Sequence, residues 1–309
     1  MILSVSRRTD IPAFYSEWFF DRLNKGFVYV RNPIYKKMIS KISLQEENVD
    51  CFVFWSKNPK PFIKRIPELH RIPFYFQYTI NAYDTDIEPF VPNKNASIET
   101  FIELSKTIGK EKVIWRYDPI LLSDRYTIKY HLKEFESVAN RVAPYTDKCV
   151  ISFLDRYQKN EKKLTITGVR ELRSNEIMLI AKQLKAIADL YNLQLETCAE
   201  GIELESIGIG HNRCIDRVLI EKILGRKINA RKDKNQRAVC GCIESVDIGA
   251  YNTCRHGCIY CYANNDSKKG NDSFSIDVSN SPLLCGFVSE TDSIVERPPK
   301  SIIDKTLFD

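Results

Sequence analysis

Val49-Asp50-Cys51-Phe52-Val53-Phe54-Trp55 runs straight into Ser56-Lys57-Asn58-Pro59. A short apolar run, β-branched and aromatic, closed by a polar group and a proline, reads as a strand buried on both faces. The same unit recurs in both directions along the chain. Ile2 to Ser6 ends in Arg7-Arg8-Thr9-Asp10, and Phe74 to Thr79 ends near Asn81. Val113 to Arg116 ends in Tyr117-Asp118-Pro119, Cys149 to Leu154 in Asp155-Arg156, and Leu193 to Thr197 in Cys198-Ala199-Glu200. Phe27 to Arg31 is a further extended piece, while residues 34–48 fit a strand or a turn.

Helical patterns separate these strands. One opens at Pro12, with Phe14, Trp18, Phe19 and Leu23 near helical spacing. Others cover Phe62 to Leu69, Ile98 to Ile108, residues 127–143 and Asp216 to Leu224. The longest is capped by Ser174 and runs to Tyr191, with Ile177, Ile180, Leu184, Ile187 and Leu190 on one face. Strand and helix in alternation imply parallel strands joined by crossover helices. The expected fold is α/β, a parallel, TIM-like (β/α) barrel. In such a barrel the polar groups after the strands converge on the face that carries the active site. Ser245 to Ala250 reads as one more strand, bringing its downstream loop to that face. The expected organisation is one barrel domain over residues 1–263, including a cysteine loop at 240–262. Residues 264–309 are then a tail packed on the barrel, docked through Pro282 to Phe287.

The bulk properties agree. The chain has 309 residues, a usual length for an α/β barrel, and is 43% hydrophobic, enough for a sizeable core. No apolar run approaches a membrane span and no signal peptide precedes Ile2, so a soluble, cytoplasmic protein is expected. The net charge of +6 is mild. It suits an anionic substrate or a nucleic acid, and equally a solvated basic surface. Ten cysteines in such a chain argue for metal binding or catalysis over a disulfide framework.

The cysteines carry the chemistry. Cys254, Cys258 and Cys261 have the spacing C-x3-C-x2-C, with Tyr260 just before the last. Three thiolates on one tight loop can hold three irons of a [4Fe–4S] cube and leave the fourth without a protein ligand. A closed zinc or four-cysteine site stays open as an alternative, because His256 lies inside the loop and Cys240 and Cys242 lie upstream. Cys198, Cys214, Cys240 and Cys242 form a second group. They offer ligands for a second iron–sulfur cluster or a zinc, or serve in part as buried apolar thiols. Cys51, Cys149 and Cys285 lie in apolar segments and read as packing residues. Arg116 and Glu196 lie inside strands, where burial demands a partner. Asp118, Asp155 and Glu200 follow strands and are available for substrate binding or proton transfer.

The three-cysteine spacing with Tyr260 resembles the cluster motif of the radical SAM superfamily. The start Ser6-Arg-Arg-Thr-Asp-Ile-Pro12, then Cys240-x-Cys242, Asp247-Ile-Gly-x-Tyr251 and Cys254-x-His-x-Cys-x-Tyr-Cys-Tyr-Ala-Asn264, resembles the DUF1848 family over nearly the whole chain. The resemblance implies a circularly permuted radical SAM barrel, with the motif closing the barrel where it normally opens it. It implies a [4Fe–4S] cluster on Cys254, Cys258 and Cys261, and S-adenosylmethionine on the open iron with Tyr260 by its adenine. An electron donor such as a flavodoxin or ferredoxin would reduce the cluster, and cleavage of S-adenosylmethionine would start hydrogen abstraction from a substrate. No glycine-rich segment matches the superfamily's site for the methionine amino group, so Arg7, Arg8 and Asp10 are the candidate cofactor contacts. The competing expectation is a non-enzymatic zinc or iron–sulfur protein that contacts nucleic acid through Arg226, Lys227, Arg231, Lys232, Lys234 and Arg237.

Overall fold

A computed structural model describes residues 1–265 and 281–303. The elements follow one another as β1 (Ile2–Val5), α1 (Ile11–Phe14), α2 (Ser16–Lys25), β2 (Phe27–Arg31), β3 (Met38–Ser43), β4 (Cys51–Ser56), α3 (Lys60–Ile63) and β5 (Phe74–Thr79). Next come α4 (Lys94–Ile108), β6 (Val113–Ile120), α5 (Ile128–Val142), β7 (Lys148–Phe153), α6 (Glu161–Ile166), α7 (Ser174–Leu190) and β8 (Gln194–Thr197). The chain then forms β9 (Gly210–His211), α8 (Arg217–Leu224), β10 (Val246–Asp247) and β11 (Ser293–Glu296).

Eight strands form one sheet in the order β10-β1-β4-β5-β6-β7-β8-β9, every pair parallel. The permuted order has a simple basis: β10, near the end of the chain, pairs with β1 at its start, Leu3 opposite Val246 and Ser4 opposite Asp247. Strands five places apart in a flat sheet would lie about 24 Å apart at ~4.8 Å per step. Yet Arg7 after β1 and Cys198 after β8 line one cavity. The sheet therefore curls around that cavity. Its outer face is sealed by aromatic packing: Phe54 on β4 stacks on Phe76 of β5 at 4.7 Å, and Phe19 and Phe62 close over them.

Several elements depart from the sequence pattern. The first helix is broken into α1 and α2 at Tyr15, whose backbone leaves the helical region (φ −135°, ψ 26°), and Asp10 caps α1 through the Ala13 N–H. Residues 34–48 contribute β3, antiparallel to β2, and β11 adds to β3 in a separate three-stranded sheet. β6 does not stop at Arg116 but runs through Asp118 and Pro119 to Ile120. The helix α7 is entered from Arg173, not capped by Ser174; Glu176 reaches back to the Arg173 N–H at 3.0 Å. Leu190 is exposed and lies off the packed face. The described part of the C-terminal segment packs on the body: Leu283 and Leu284 are buried, Trp18 donates to the Ser281 carbonyl, and Ile228 bridges to Ile303. No described helix is long and apolar enough to cross a membrane.

The turn after β10 has no room for a side chain at Gly249. A Cβ there would lie 2.0 Å from Ser6 Oγ and 2.6 Å from Ser6 Cβ. Gly249→Ala should thus destabilise by about 1–3 kcal/mol in urea unfolding, the usual cost of overpacking. Gly201→Ala, which meets nothing within 4 Å, should be near neutral. Equal effects would contradict the close approach.

His131 on α5 is buried, with Nδ1 2.8 Å from the Tyr117 hydroxyl and Nε2 2.7 Å from the Leu121 carbonyl. Burial lowers its pKa from 6.5 to about 4. Between those values the unfolded chain binds the proton and the folded chain does not. Stability should therefore fall as pH drops from about 6.5 to about 4, by at most roughly 3 kcal/mol. Denaturant midpoints across this window should fall more steeply for the parent than for His131→Gln; parallel profiles would refute this.

Candidate functional site

The cavity, about 460 Å³, opens at the carboxyl ends of the parallel strands. That is where an α/β sheet presents side chains that strand pairing has not consumed. Its walls come from the ends of β1, β4, β6, β7 and β8 and from the late cysteine loops. All seven clustered cysteines, Cys198, Cys214, Cys240, Cys242, Cys254, Cys258 and Cys261, line it. Cys51 and Cys149 are fully buried in the strands and Cys285 is half-buried outside it, in keeping with packing roles.

The loop bearing Cys254, Cys258 and Cys261 is fixed from below. His256 is buried, its Nε2 2.7 Å from Asp10 Oδ2 and its Nδ1 3.4 Å from the Phe90 carbonyl. Both ring nitrogens thus face protein oxygens, and the histidine shapes the loop. Asp10 has no idle oxygen. Oδ1 accepts from the Ala13 N–H and the Ser56 hydroxyl, and Oδ2 accepts from the Lys57 N–H besides facing His256. It lines the cavity as a buried tie between segments. Main-chain bonds from Phe90 to His256 and from Ile259 to Ile87 fasten the loop to residues 87–90. Asn160 donates to the Cys261 carbonyl, and the Ala263 N–H points at Cys261 Sγ at 3.4 Å.

Burial pushes the Cys254 thiol up to about 12 and the Cys258 thiol well above its ordinary range, with Asp10 and Glu88 respectively adding to the effect. Thiols so placed ionise when a cation neutralises them, as a bound metal does. These two thiols and Cys261 on the same loop, with His256 turned away, are a donor set that suits three irons of a cluster.

Arg7 and Arg8 both reach the cavity. Arg7 lies over Trp55 and Arg8 over Tyr251, with ring-centroid distances of 5.8 and 5.1 Å, and each approaches Asp247 at 3.9 Å. Asp247 also accepts from the hydroxyls of Ser4 and Ser6 and from the Arg7 N–H. Arg7 Nη2 also donates to the Ser245 hydroxyl at 3.1 Å and lies 3.8 Å from Asp233, and Arg8 Nη1 reaches the Gly249 carbonyl at 3.5 Å. Tyr260 donates to Glu88 Oε1 and turns its ring toward Lys57, 5.7 Å away.

Glu88 and Asn81 stand behind the cavity wall, bonded to Lys57 and Tyr260, and Glu88 carries no local sequence signal. Glu88 is buried and accepts from Lys57 Nζ at 2.8 Å and from Asn81 Nδ2 at 3.0 Å. Burial alone would raise its pKa, but the Lys57 ammonium, with Tyr260 and Asn81, holds the carboxyl below its ordinary value. Asn81 is also clamped to the main chain of Asp118, accepting from its N–H and donating to its carbonyl.

Arg116 is buried and paired. Its Nε donates to Asp118 at 2.9 Å, and Nη1 contacts Gln77 Oε1 at 3.2 Å and Cys214 Sγ at 3.1 Å. Burial opposes its charge, but Cys214, Asp118 and Cys198 hold its pKa well above the ordinary value. Glu196 pairs with Lys148 at 2.8 Å, away from the cavity wall. Glu200 accepts from the Phe153 N–H, and Asp155 binds Arg237 at 2.6 Å. Within the basic stretch, Arg237 also contacts Tyr157 and lines the cavity, Lys227 pairs with Glu221, and Lys232 donates to the Ala238 carbonyl. His211, on β9, groups with Glu203 and Glu205, two exposed acids, outside the cavity.

The fold and site thus define an α/β protein with seven cysteines gathered at the carboxyl edge of a curled parallel sheet. The chain belongs to the family described as a domain of unknown function, DUF1848, whose model matches residues 2–263. Comparison with curated proteins gives no match. Among solved structures, a candidate alpha-L-fucosidase from Bacteroides thetaiotaomicron aligns over 68% of this chain and 80% of that one, at 12% identity and a TM-score of 0.27, too low to carry an argument.

Removing Lys57 while keeping Glu88 would strand a buried carboxylate. Lys57→Met should cost about 3–5 kcal/mol in chemical denaturation. Lys57→Met combined with Glu88→Gln should cost less than Lys57→Met alone. A double variant at least as unstable as the single would show that the pair is not coupled.

Proposed function

We propose that this protein is a radical SAM-like iron–sulfur enzyme working within a TIM-like, barrel-shaped enclosure. The observation that carries the reading is the set of three thiols, Cys254, Cys258 and Cys261, on the cavity wall with His256 held back by Asp10. These three would hold a [4Fe–4S] cluster. Such a cluster, with one iron free of protein ligands, supplies an electron and a binding position for the amino and carboxylate groups of S-adenosylmethionine, whose reductive cleavage starts hydrogen abstraction.

The chain's own residues do the rest. Arg7 and Arg8 offer guanidinium donors suited to a carboxylate. Tyr260 presents a ring to the cavity, with its hydroxyl fixed on Glu88. Asp10 acts as a positioning residue, since its oxygens are taken by Ala13, Ser56, Lys57 and His256. Trp55 and Phe153 give part of the wall an apolar surface that excludes water around the reacting atoms. Arg116 and Asp118 form a neutral pair on the floor, available to orient a polar substrate. A flavodoxin or ferredoxin is the class of reductant this chemistry calls for.

The test is anaerobic. Purified protein should contain iron and sulfide and should form 5′-deoxyadenosine from S-adenosylmethionine with dithionite. Cys258→Ala should reduce that product to background. A colourless protein with stoichiometric zinc and no iron after anaerobic reconstitution would sink the reading.

A further inference from the structure

Four further sulfurs that line the cavity belong to none of these steps. Cys198 follows β8, Cys214 lies between β9 and α8, and Cys240 and Cys242 precede β10. They meet in a row. The Cys198 and Cys214 sulfurs are 3.4 Å apart, Cys214 neighbours Cys242, and Cys242 neighbours Cys240. A disulfide needs ~2.05 Å, so these are four separate thiols. Three N–H donors point at them: Arg116 Nη1 at 3.1 Å and Asn212 Nδ2 at 3.4 Å from Cys214 Sγ, and the Ile215 N–H at 3.4 Å from Cys242 Sγ. A buried guanidinium and aimed N–H groups suit thiolates, and hydrogen bonds to sulfur are how proteins tune iron–sulfur centres.

The backbone is built to hold this arrangement. Tyr75 and Gln77 both donate to the Cys214 carbonyl, at 2.6 and 3.1 Å. Ile243 bonds to Ile215, and Asp233 to Cys242, joining the C-x-C segment to the Cys214 loop. The row of sulfurs is longer than one tetrahedral ion spans, although its neighbours stand as close as 3.4 Å. Tetrahedral zinc at ~2.3 Å from each sulfur would draw all four within about 3.8 Å of one another. Among the described residues, the group whose donor atoms lie mutually within 4.8 Å is Glu203, Glu205 and His211, and not any three of these sulfurs.

We infer that Cys198, Cys214, Cys240 and Cys242 ligate a second iron–sulfur cluster, fully coordinated by protein, with Arg116 donating a hydrogen bond to its Cys214 sulfur. With no open position it carries electrons and does not bind a small molecule.

The inference does not depend on the three-cysteine centre, and the experiment separates the two. The full-length Cys254→Ala/Cys258→Ala/Cys261→Ala variant, reconstituted anaerobically, should keep about half the iron and sulfide of the parent. It would keep all of it if the first centre does not exist. Its dithionite-reduced EPR signal should be unchanged by added S-adenosylmethionine. Cys198→Ala/Cys242→Ala should lose the complementary share, and Cys198→Ser gives the same reading with a smaller perturbation. A triple variant that is folded by circular dichroism but free of iron would overturn the inference. So would stoichiometric zinc at this site, or a signal shifted by S-adenosylmethionine.

Discussion

One buried carboxylate joins the parts of this molecule that matter for function. Asp10 caps α1, receives the Ser56 hydroxyl and the Lys57 N–H from the end of β4, and faces His256 in the late cysteine loop. Four groups from three distant stretches meet two oxygens. A buried carboxyl group is stable only when several donors replace the water it has lost. Its removal would strand the donors as well, so the first turn of the chain, the central strand and the cysteine loop are held as one unit. Lys57, Glu88, Asn81 and Tyr260 form a second tie just above it, fixing the other side of the same loop.

The curl of the sheet makes these ties possible. Parallel pairing of β10 with β1 brings the last strand of the sheet against the first element of the chain. The loop after β10 is then delivered beside the loop after β1, where Gly249 passes close over Ser6. Charge is distributed to match. Arg7, Arg8, Lys57, Arg116 and Arg237 line the cavity with the cysteines, Asp10, Asp118 and Asp155, among hydroxyl, amide and imidazole groups. Each of these cations has a carboxylate partner: Asp247 for Arg7 and Arg8, Glu88 for Lys57, Asp118 for Arg116 and Asp155 for Arg237.

Much of this was legible in the residues, and the limits are physical. β4, β5 and β7 announce themselves because both faces are buried and the apolar run is continuous. β3, β9 and β11 do not, because they are short or half-exposed and draw their stability from partners distant in sequence. The end of β6 was misplaced for a related reason: Asp118 and Pro119 look like a turn, yet Asn81 and Tyr83 from the neighbouring loop supply the hydrogen bonds that keep the segment extended. The spacing of Cys254, Cys258 and Cys261 is local and could be read directly. The convergence of Cys198, Cys214, Cys240 and Cys242 is tertiary; composition suggested the group, but only the fold places it on one wall. Glu88 gave no signal, since an acidic residue in a polar stretch looks solvated until Lys57 and Tyr260 are brought to it. Asp10 was expected at the cofactor and lines the same cavity, but its carboxylate is occupied by the scaffold.

The central claim is that the thiols of Cys254, Cys258 and Cys261 hold iron with one metal position left to a small molecule. The most direct measurement is an anomalous difference map at the iron edge from an anaerobically grown crystal. The account predicts iron density bonded to those three sulfurs, with one iron facing the cavity on the side of Arg7 and Arg8. A single tetrahedral zinc there, closed by His256 or by Cys240 or Cys242, would contradict it.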